Sequence, residues 1–434
     1  MSERYDGRWV DSQVTRCTET WNCCAANPAL LDPRYSRRDH EAREIAYDAE
    51  MRAVEWEARH APHSPAARAE TQKRLIASFA QFAANALDLE PDSTALLTGD
   101  FLPAGIEFAR RAREFDANLS QADTIQACRN AWTACGLQPL LGVPSGITPS
   151  ILGYSLLYPY TDNYLDNEAV SLKAKLAFSE RFRERLRGGV ATPLNRHEAQ
   201  VWALVALIEG QYPRGQFPAV FDCMLAIHQA QEDSIAQQRN GSLTDAELLR
   251  LSFAKGGTSV LADAALARGW MTEEESEAAF GWGALLQLGD DLQDVRDDLK
   301  RGSLTLFTRA AEQREPLDHV VLRLLSFCEQ VAARMRQLSN GSDQLKDLLE
   351  MSWRSLIISA IADAHEYFSP GFLASAERCS PFRFEFLRAR RTRLAGRQGV
   401  YAVLFDLFMD TSDADFAESP MRHDGSESCI EAVV

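Results

Sequence analysis

The residues with the clearest chemical potential are five aspartates within the run Leu286–Asp298, read as LQLGDDLQDVRDD. At about 100° per residue, Asp290, Asp294 and Asp297 share one helix face, with Asp291 and Asp298 at its margins. The preceding stretch, FGWGALLQL, is almost wholly apolar, so the acidic face continues a buried one. Like charges at i,i+4 spacing weaken an isolated helix by a few tenths of a kcal/mol per pair, roughly, and a cation would offset that. A second acidic box, Thr161–Asn167 (TDNYLDN), follows the apolar aromatic segment ILGYSLLYPY. Asp162 and Asp166 stand one turn apart there, with the amide oxygens of Asn163 and Asn167 beside them. Taken alone, the first cluster also reads as a solvated acidic face and the second as an Asx-rich helix start. Taken together, they supply oxygen ligands from separate helices to a hard divalent cation, most naturally Mg²⁺. Magnesium keeps waters and shares phosphate oxygens, so a polyphosphate ligand is expected.

At these residues the chain resembles the class I isoprenoid synthase superfamily. Leu286–Asp294 is similar to the second aspartate-rich motif of trans-prenyl diphosphate synthases. Its continuation, Asp294–Gly302 (DVRDDLKRG), is similar to the matching segment of squalene and phytoene synthases. Tyr164–Asn167, with Asp162 before it, looks closest to the signature of large-terpene synthases. Lys255–Thr258 (KGGT) sits where prenyl synthases carry a lysine–threonine pair. The likeness spans roughly residues 100–400.

The resemblance implies an all-α bundle around a deep apolar cavity, with three Mg²⁺ ions gripping a prenyl diphosphate at its mouth. Asp162, Asp166, Asn167, Asp290, Asp291, Asp294 and Asp298 become the metal ligands, and Asp162, Asp166, Asp290, Asp291 and Asp294 the catalytic set. Lys255, Gln287, Arg296, Lys300 and Arg301 become candidates for holding diphosphate. Lys255, ahead of a Gly-Gly that should kink its helix, reads equally as a surface lysine. Arg296, Lys300 and Arg301 read also as local ion-pair partners of Asp294, Asp297 and Asp298. Gln287 reads also as a satisfied buried amide. Tyr154, Tyr158 and Trp282, one or two turns below the boxes, would line the cation chamber or serve as plain core. The basic run Arg388–Arg393 reads as a lid over the mouth or, more simply, a solvated face.

Chain-elongating transferases also carry a GGKxxRP motif and an RRG after the first box, and neither is present. One prenyl diphosphate is therefore expected rather than two. The expected activity is a Mg²⁺-dependent terpene synthase that ionises a linear prenyl diphosphate. The aspartate-rich second box, where cyclases usually carry an NSE-type one, keeps a prenyl transferase of head-to-head or chain-elongating type as the alternative. A catalytically inactive helical binding or scaffold protein is the alternative from another class. Class I enzymes are often dimers, so the resemblance also implies a homodimer.

These boxes need helices to position them, and helices are what the chain offers. Apolar residues recur at three- and four-residue spacing in 66–88, 195–209 and 244–268, separated by breakers such as GVPSGITPS and QYPRGQFP. Thr244 and Glu247 form a capping box. No period-two alternation appears, so the reading is all-α. Residues 1–65 read as a partly helical extension, 66–409 as the synthase-type domain, and 410–434 as an acidic, disordered tail. With 46 basic and 62 acidic side chains the net charge is −16, a poor match for nucleic acid. No apolar run reaches the ~18 residues of a membrane span, and nothing near the start looks like a signal peptide. Nine cysteines without zinc-type spacing fit a reduced, cytoplasmic chain. The scattered histidines, including His60, His63 and the His228–Glu232 pair, give zinc no site.

Overall fold

A computed structural model describes residues 5–167, 169–234, 237, 243–395, 403 and 406–408, with the side chains of 166 and 393–395 excluded. Among the described residues helices are the only regular secondary structure, and no strand occurs. The order is α1 (Gly7–Cys23), α2 (Arg37–Arg59), α3 (Pro65–Asn85), α4 (Pro91–Leu96), α5 (Leu102–Phe115), α6 (Gln121–Leu140), α7 (Pro149–Asp166), α8 (Leu172–Leu186) and α9 (Arg196–Gln211). It continues with α10 (Pro218–Ser234), α11 (Asp245–Arg268), α12 (Glu273–Gln293), α13 (Val295–Arg301), α14 (Leu306–Glu312), α15 (Asp318–Arg336), α16 (Asp343–Asp363), α17 (Pro370–Glu377) and α18 (Phe384–Ala395). The proposed tail at 410–434 lies outside the described residues.

Helix α11 is the axis of the bundle. Its Thr244–Glu247 capping box forms as the sequence implies. From Gly256 to Ala267 it is buried on almost every side, and small residues dominate that stretch. Helices α6, α7, α10 and α12 pack around it, and α16 packs on α12. Small side chains permit this density, because helix axes can approach closely where little projects between them.

Helix α11 runs through Gly256 and Gly257 without a break in its helical assignment. Their role is tertiary. A Cβ on Gly256 would overlap the carbonyl oxygen of Gly283 on α12, and a Cβ on Gly283 would overlap that of Gly256. A Cβ on Gly257 would come within 2.5 Å of the Phe280 ring. Glycine is thus required at this crossing by space rather than by backbone freedom.

Of the N-terminal region, helix α1 is part of the bundle. Helix α1 packs on α11, α12 and α15, burying Val14, Cys17 and Trp21, with Trp21 edge-on to Phe327. Helices α2 and α3 pair with each other and share a small aromatic core in which Tyr47 meets Phe82, Phe382 and Phe386. The eight described cysteines are all free. No helix among the described residues is long and apolar enough to cross a membrane.

Candidate active site

One cavity of about 1400 Å³ opens within the bundle. At one end it is lined by Asp162, Asn163, Gln126, Arg129, Gln231, Lys255, Gln287, Asp290 and Asp294. Deeper in, its wall includes the aromatic rings of Tyr158, Trp282, Trp353, Trp132 and Phe101. The two acidic boxes, far apart in sequence, therefore share one chamber. Charged groups also line it away from the two boxes in sequence: Asp32, Arg34, Asp88, Arg336, Asp347 and Glu350 are on its wall. Asp32 and Arg34 belong to the segment between α1 and α2, so the N-terminal region extends the wall.

The first box lies at the end of α7, not at a helix start. Asp162 and Asp166 occupy its last two turns, where unpaired carbonyls add negative potential that favours a cation. Asp162 accepts hydrogen bonds from Gln231 Nε2 (2.8 Å) and Thr161 Oγ1 (3.2 Å). Asn163 donates to Asp123 (2.8 Å) and Gln126 (3.3 Å) on α6. Asn167 is exposed, and its side-chain oxygen accepts the Ala169 N–H at 2.9 Å, so it serves the turn after α7. The Asp166 side chain lies outside the described residues.

The second box spans a break. Helix α12 ends at Gln293, Asp294 is its cap, and α13 begins at Val295. The break is one residue wide, and α-type bonds run through it from the Asp294 N–H to the Asp290 carbonyl and from the Asp298 N–H to the Asp294 carbonyl. Asp297 is exposed and pairs with Lys300 (2.6 Å) yet still raises Asp294, and Asp298 lies within the electrostatic reach of Asp291 and Asp294. Asp291 is buried and accepts Ser252 Oγ (2.6 Å) and Gln287 Nε2 (2.8 Å), so it is braced beneath the site and absent from the described cavity wall. Asp290 and Asp294 face the cavity.

The carboxylates are poorly compensated. Burial lifts Asp290 to about 6, helped by Asp294 and Asp291 and opposed by Arg129 and Lys255. Burial likewise lifts Asp298 to about 7, with Asp291 and Asp294 adding to the effect. Asp291 and Asp294 also sit above the ordinary carboxylate range, again chiefly through burial. A cluster whose charge is this costly is one that a bound cation would stabilise.

Among the described residues no three acidic, histidine or cysteine groups converge closely enough to encircle an ion unaided. What Asp162, Asp290 and Asp294 offer is an all-oxygen set spread around a chamber, with Asn163, Gln126 and Gln231 nearby. That donor chemistry fits Mg²⁺ held partly by waters and phosphate oxygens, the usual manner for this ion.

The cationic candidates divide. Lys255 lines the cavity. Arg296 does not: it grips Glu366 with two 2.6 Å bonds and the Asp363 carbonyl at 2.8 Å. Lys300 is exposed on Asp297, and Arg301 is exposed near Asp294 and Asp298 without lining the cavity. Arg388 and Arg391 are tied to the Ala362 carbonyl and the Asp363 carboxylate, and Arg390 to Asp48, and none of the three lines the cavity; the Arg393 side chain lies outside the described residues. The cation without a sequence signature is Arg129 on α6, whose guanidinium lies 3.7 Å from Asp290.

Of the aromatic candidates, Tyr158 and Trp282 line the chamber, and Trp282 packs against Trp353 with ring centres 5.0 Å apart. Tyr154 does not; its hydroxyl donates to the Ser259 carbonyl at 3.1 Å, beside a much smaller neighbouring cavity. His228 is buried against the Ser179 carbonyl (3.1 Å) and driven down to about 4 by burial, hence neutral and structural.

Comparisons with models of protein families, with curated proteins and with solved structures find no match to this chain.

Proposed function

We propose that this chain is a Mg²⁺-dependent terpene synthase of class I isoprenoid synthase type, which ionises a linear prenyl diphosphate and releases diphosphate. The observation that carries the reading is the sharing of one cavity by Asp162 from α7 and Asp290 and Asp294 from α12 and its cap. Those carboxylates, with Asn163 and Gln231 beside them, would hold Mg²⁺; when bound it supplies Lewis-acid stabilisation of the leaving diphosphate. Lys255 and Arg129 place two fixed positive charges at the same end, where negative charge develops as the carbon–oxygen bond breaks. Gln287 and Ser252 hold Asp291, which in turn stiffens the helix carrying Asp290 and Asp294. Beneath, the Trp282–Trp353 pair and Tyr158 present π faces to the allylic cation and keep bulk water away from it.

A prenyl transferase is the second reading, favoured by one observation: a cavity larger than the ~300–1000 Å³ of ordinary small-molecule pockets has room for two chains. The two separate experimentally. Incubating the protein with single prenyl diphosphates of increasing length and Mg²⁺ should release diphosphate and form hydrocarbon or alcohol. Product that forms only after a second prenyl diphosphate is added would favour the transferase. No turnover with either, and no Mg²⁺-dependent binding, would leave the helical binding protein.

A further inference from the structure

The proposed chemistry draws on the cavity's acidic end and its aromatic wall, and one buried acid belongs to neither. Asp263 lies two turns beyond Lys255 on α11, 1% exposed, between Ala262 and Ala264. Its Oδ1 accepts a hydrogen bond from Asn130 Nδ2 at 2.9 Å, while its Oδ2 is buried with no donor among the described residues. Burial holds it well above the ordinary carboxylate range. A half-satisfied acid in an alanine-rich helix interior costs stability, and an alanine there would serve packing better.

What Asp263 achieves is the orientation of Asn130. The same amide nitrogen donates to Ser155 Oγ at 3.1 Å, so both of its protons are engaged away from the chamber. Asn130 itself lines the cavity, and its carbonyl oxygen meets no donor among the described residues. Asn130 stands one turn from Gln126 on α6. At the same depth, Tyr158 stands one turn below Asp162 on α7, and Ser259 one turn below Lys255 on α11. The hydroxyls of Tyr158 and Ser259 are hydrogen-bonded to each other, and both residues line the cavity. Three helices thus place hydrogen-bonding groups at one level, about 6 Å below the carboxylates by helical rise.

We propose that Asp263 is a positioning residue that turns the Asn130 carbonyl toward the chamber, and that this oxygen with the Tyr158–Ser259 hydroxyls holds the water that ends the reaction as an alcohol. This rests on the function proposed above. The leaving diphosphate departs with the electron pair of the carbon–oxygen bond. A lone pair of the held water then forms a new carbon–oxygen bond at the cationic carbon. The proton shed by that oxygen passes to the released diphosphate, so prenyl diphosphate and water become alcohol and protonated diphosphate.

The test is the product ratio in ¹⁸O-labelled water, with Mg²⁺ and the full chain. The native protein should give an alcohol carrying one ¹⁸O. Asn130→Leu and Asp263→Ala should each cut the alcohol-to-hydrocarbon ratio at least tenfold while diphosphate release changes little. Asp263→Asn, which keeps an acceptor for the Asn130 amide, should restore the ratio to within about twofold of native. Tyr158→Phe, which deletes one oxygen and leaves the packing, should shift the ratio the same way as Asn130→Leu and guards against misfolding of the other variants. Diphosphate release accompanied only by hydrocarbon, or a ratio unchanged across these variants, would overturn this inference alone. No diphosphate release from the native chain would overturn the proposed function and this inference with it.

Discussion

Gly256 and Gly283 meet backbone to backbone where α11 crosses α12, each occupying the space that the other's Cβ would need. Lys255 is the neighbour of one, and Gln287 and Asp290 lie one and two turns beyond the other. The close crossing is therefore what brings the cation of one helix to the carboxylates of the next.

Replacing either glycine with alanine should force the helices apart. Gly256→Ala or Gly283→Ala is expected to lower stability by about 1–3 kcal/mol, the usual cost of overpacking. Gly281→Ala is the control, because its nearest foreign atom would be Val331 Cγ2 at 3.9 Å. That variant should be neutral or more stable, by up to about 1 kcal/mol from helix propensity. Thermal denaturation of the three variants side by side checks the difference.

The acidic box should trade stability for ligand binding. Asp290→Asn removes a charge that burial disfavours, so without Mg²⁺ it should unfold at the same temperature as the native chain or higher. Turnover of prenyl diphosphate should fall at least about 100-fold, equivalent to about 2.7 kcal/mol of transition-state stabilisation. Any thermal stabilisation of the native protein by Mg²⁺ with inorganic diphosphate should shrink in the variant.

Arg129 should matter for diphosphate although no motif announces it. Arg129→Ala is expected to weaken binding of inorganic diphosphate in the presence of Mg²⁺ about tenfold, or about 1.4 kcal/mol. Lys255→Ala should act in the same direction. Arg296→Ala, whose partner is Glu366, should leave that affinity within about twofold of native. Titration calorimetry on the three variants separates site cations from structural ones.

The fold class is legible in the sequence because apolar spacing near 3.6 and capping residues are local signals. The second acidic box is legible for the same reason, up to Asp294. Beyond it, Asp297 is exposed on Lys300 while Asp298 is partly buried, a difference that helical spacing alone does not give. Gly256 and Gly257 suggest a kink because glycine's low helix propensity is a local property, whereas their actual partners, Gly283 and Phe280, lie on another helix. Asp162 and Asp166 suggest a helix start because aspartate and asparagine suit both ends. Arg129, Gln126 and Asn130 escape sequence reading because α6 carries no unusual spacing; only its packing against α7 and α11 turns those side chains into the chamber. Arg296 resembles a diphosphate ligand in sequence, but Glu366, from after α16, claims it in the fold.

Asp263 should leave a signature in the pH dependence of stability. Its folded-state pKa is raised, so the folded chain retains a proton that the unfolded chain releases above about pH 4. Native stability should accordingly be lost as pH rises from there toward the folded pKa, with a slope from this one group of at most about 1.4 kcal/mol per pH unit. Asp263→Asn lacks the titration, so its stability advantage over the native chain should widen with rising pH in that window. Urea midpoints for both proteins between about pH 4 and 8 provide the comparison.

Binding of inorganic diphosphate in the presence of Mg²⁺, measured by calorimetry for the native chain, Asp162→Asn, Asp290→Asn and the double variant, tests most directly whether the two boxes serve one ligand. The account predicts tight binding only with Mg²⁺, a loss of at least tenfold in each single variant, and a double variant little worse than the poorer single one. An isotherm unchanged by Asp162→Asn, or binding indifferent to Mg²⁺, would contradict it.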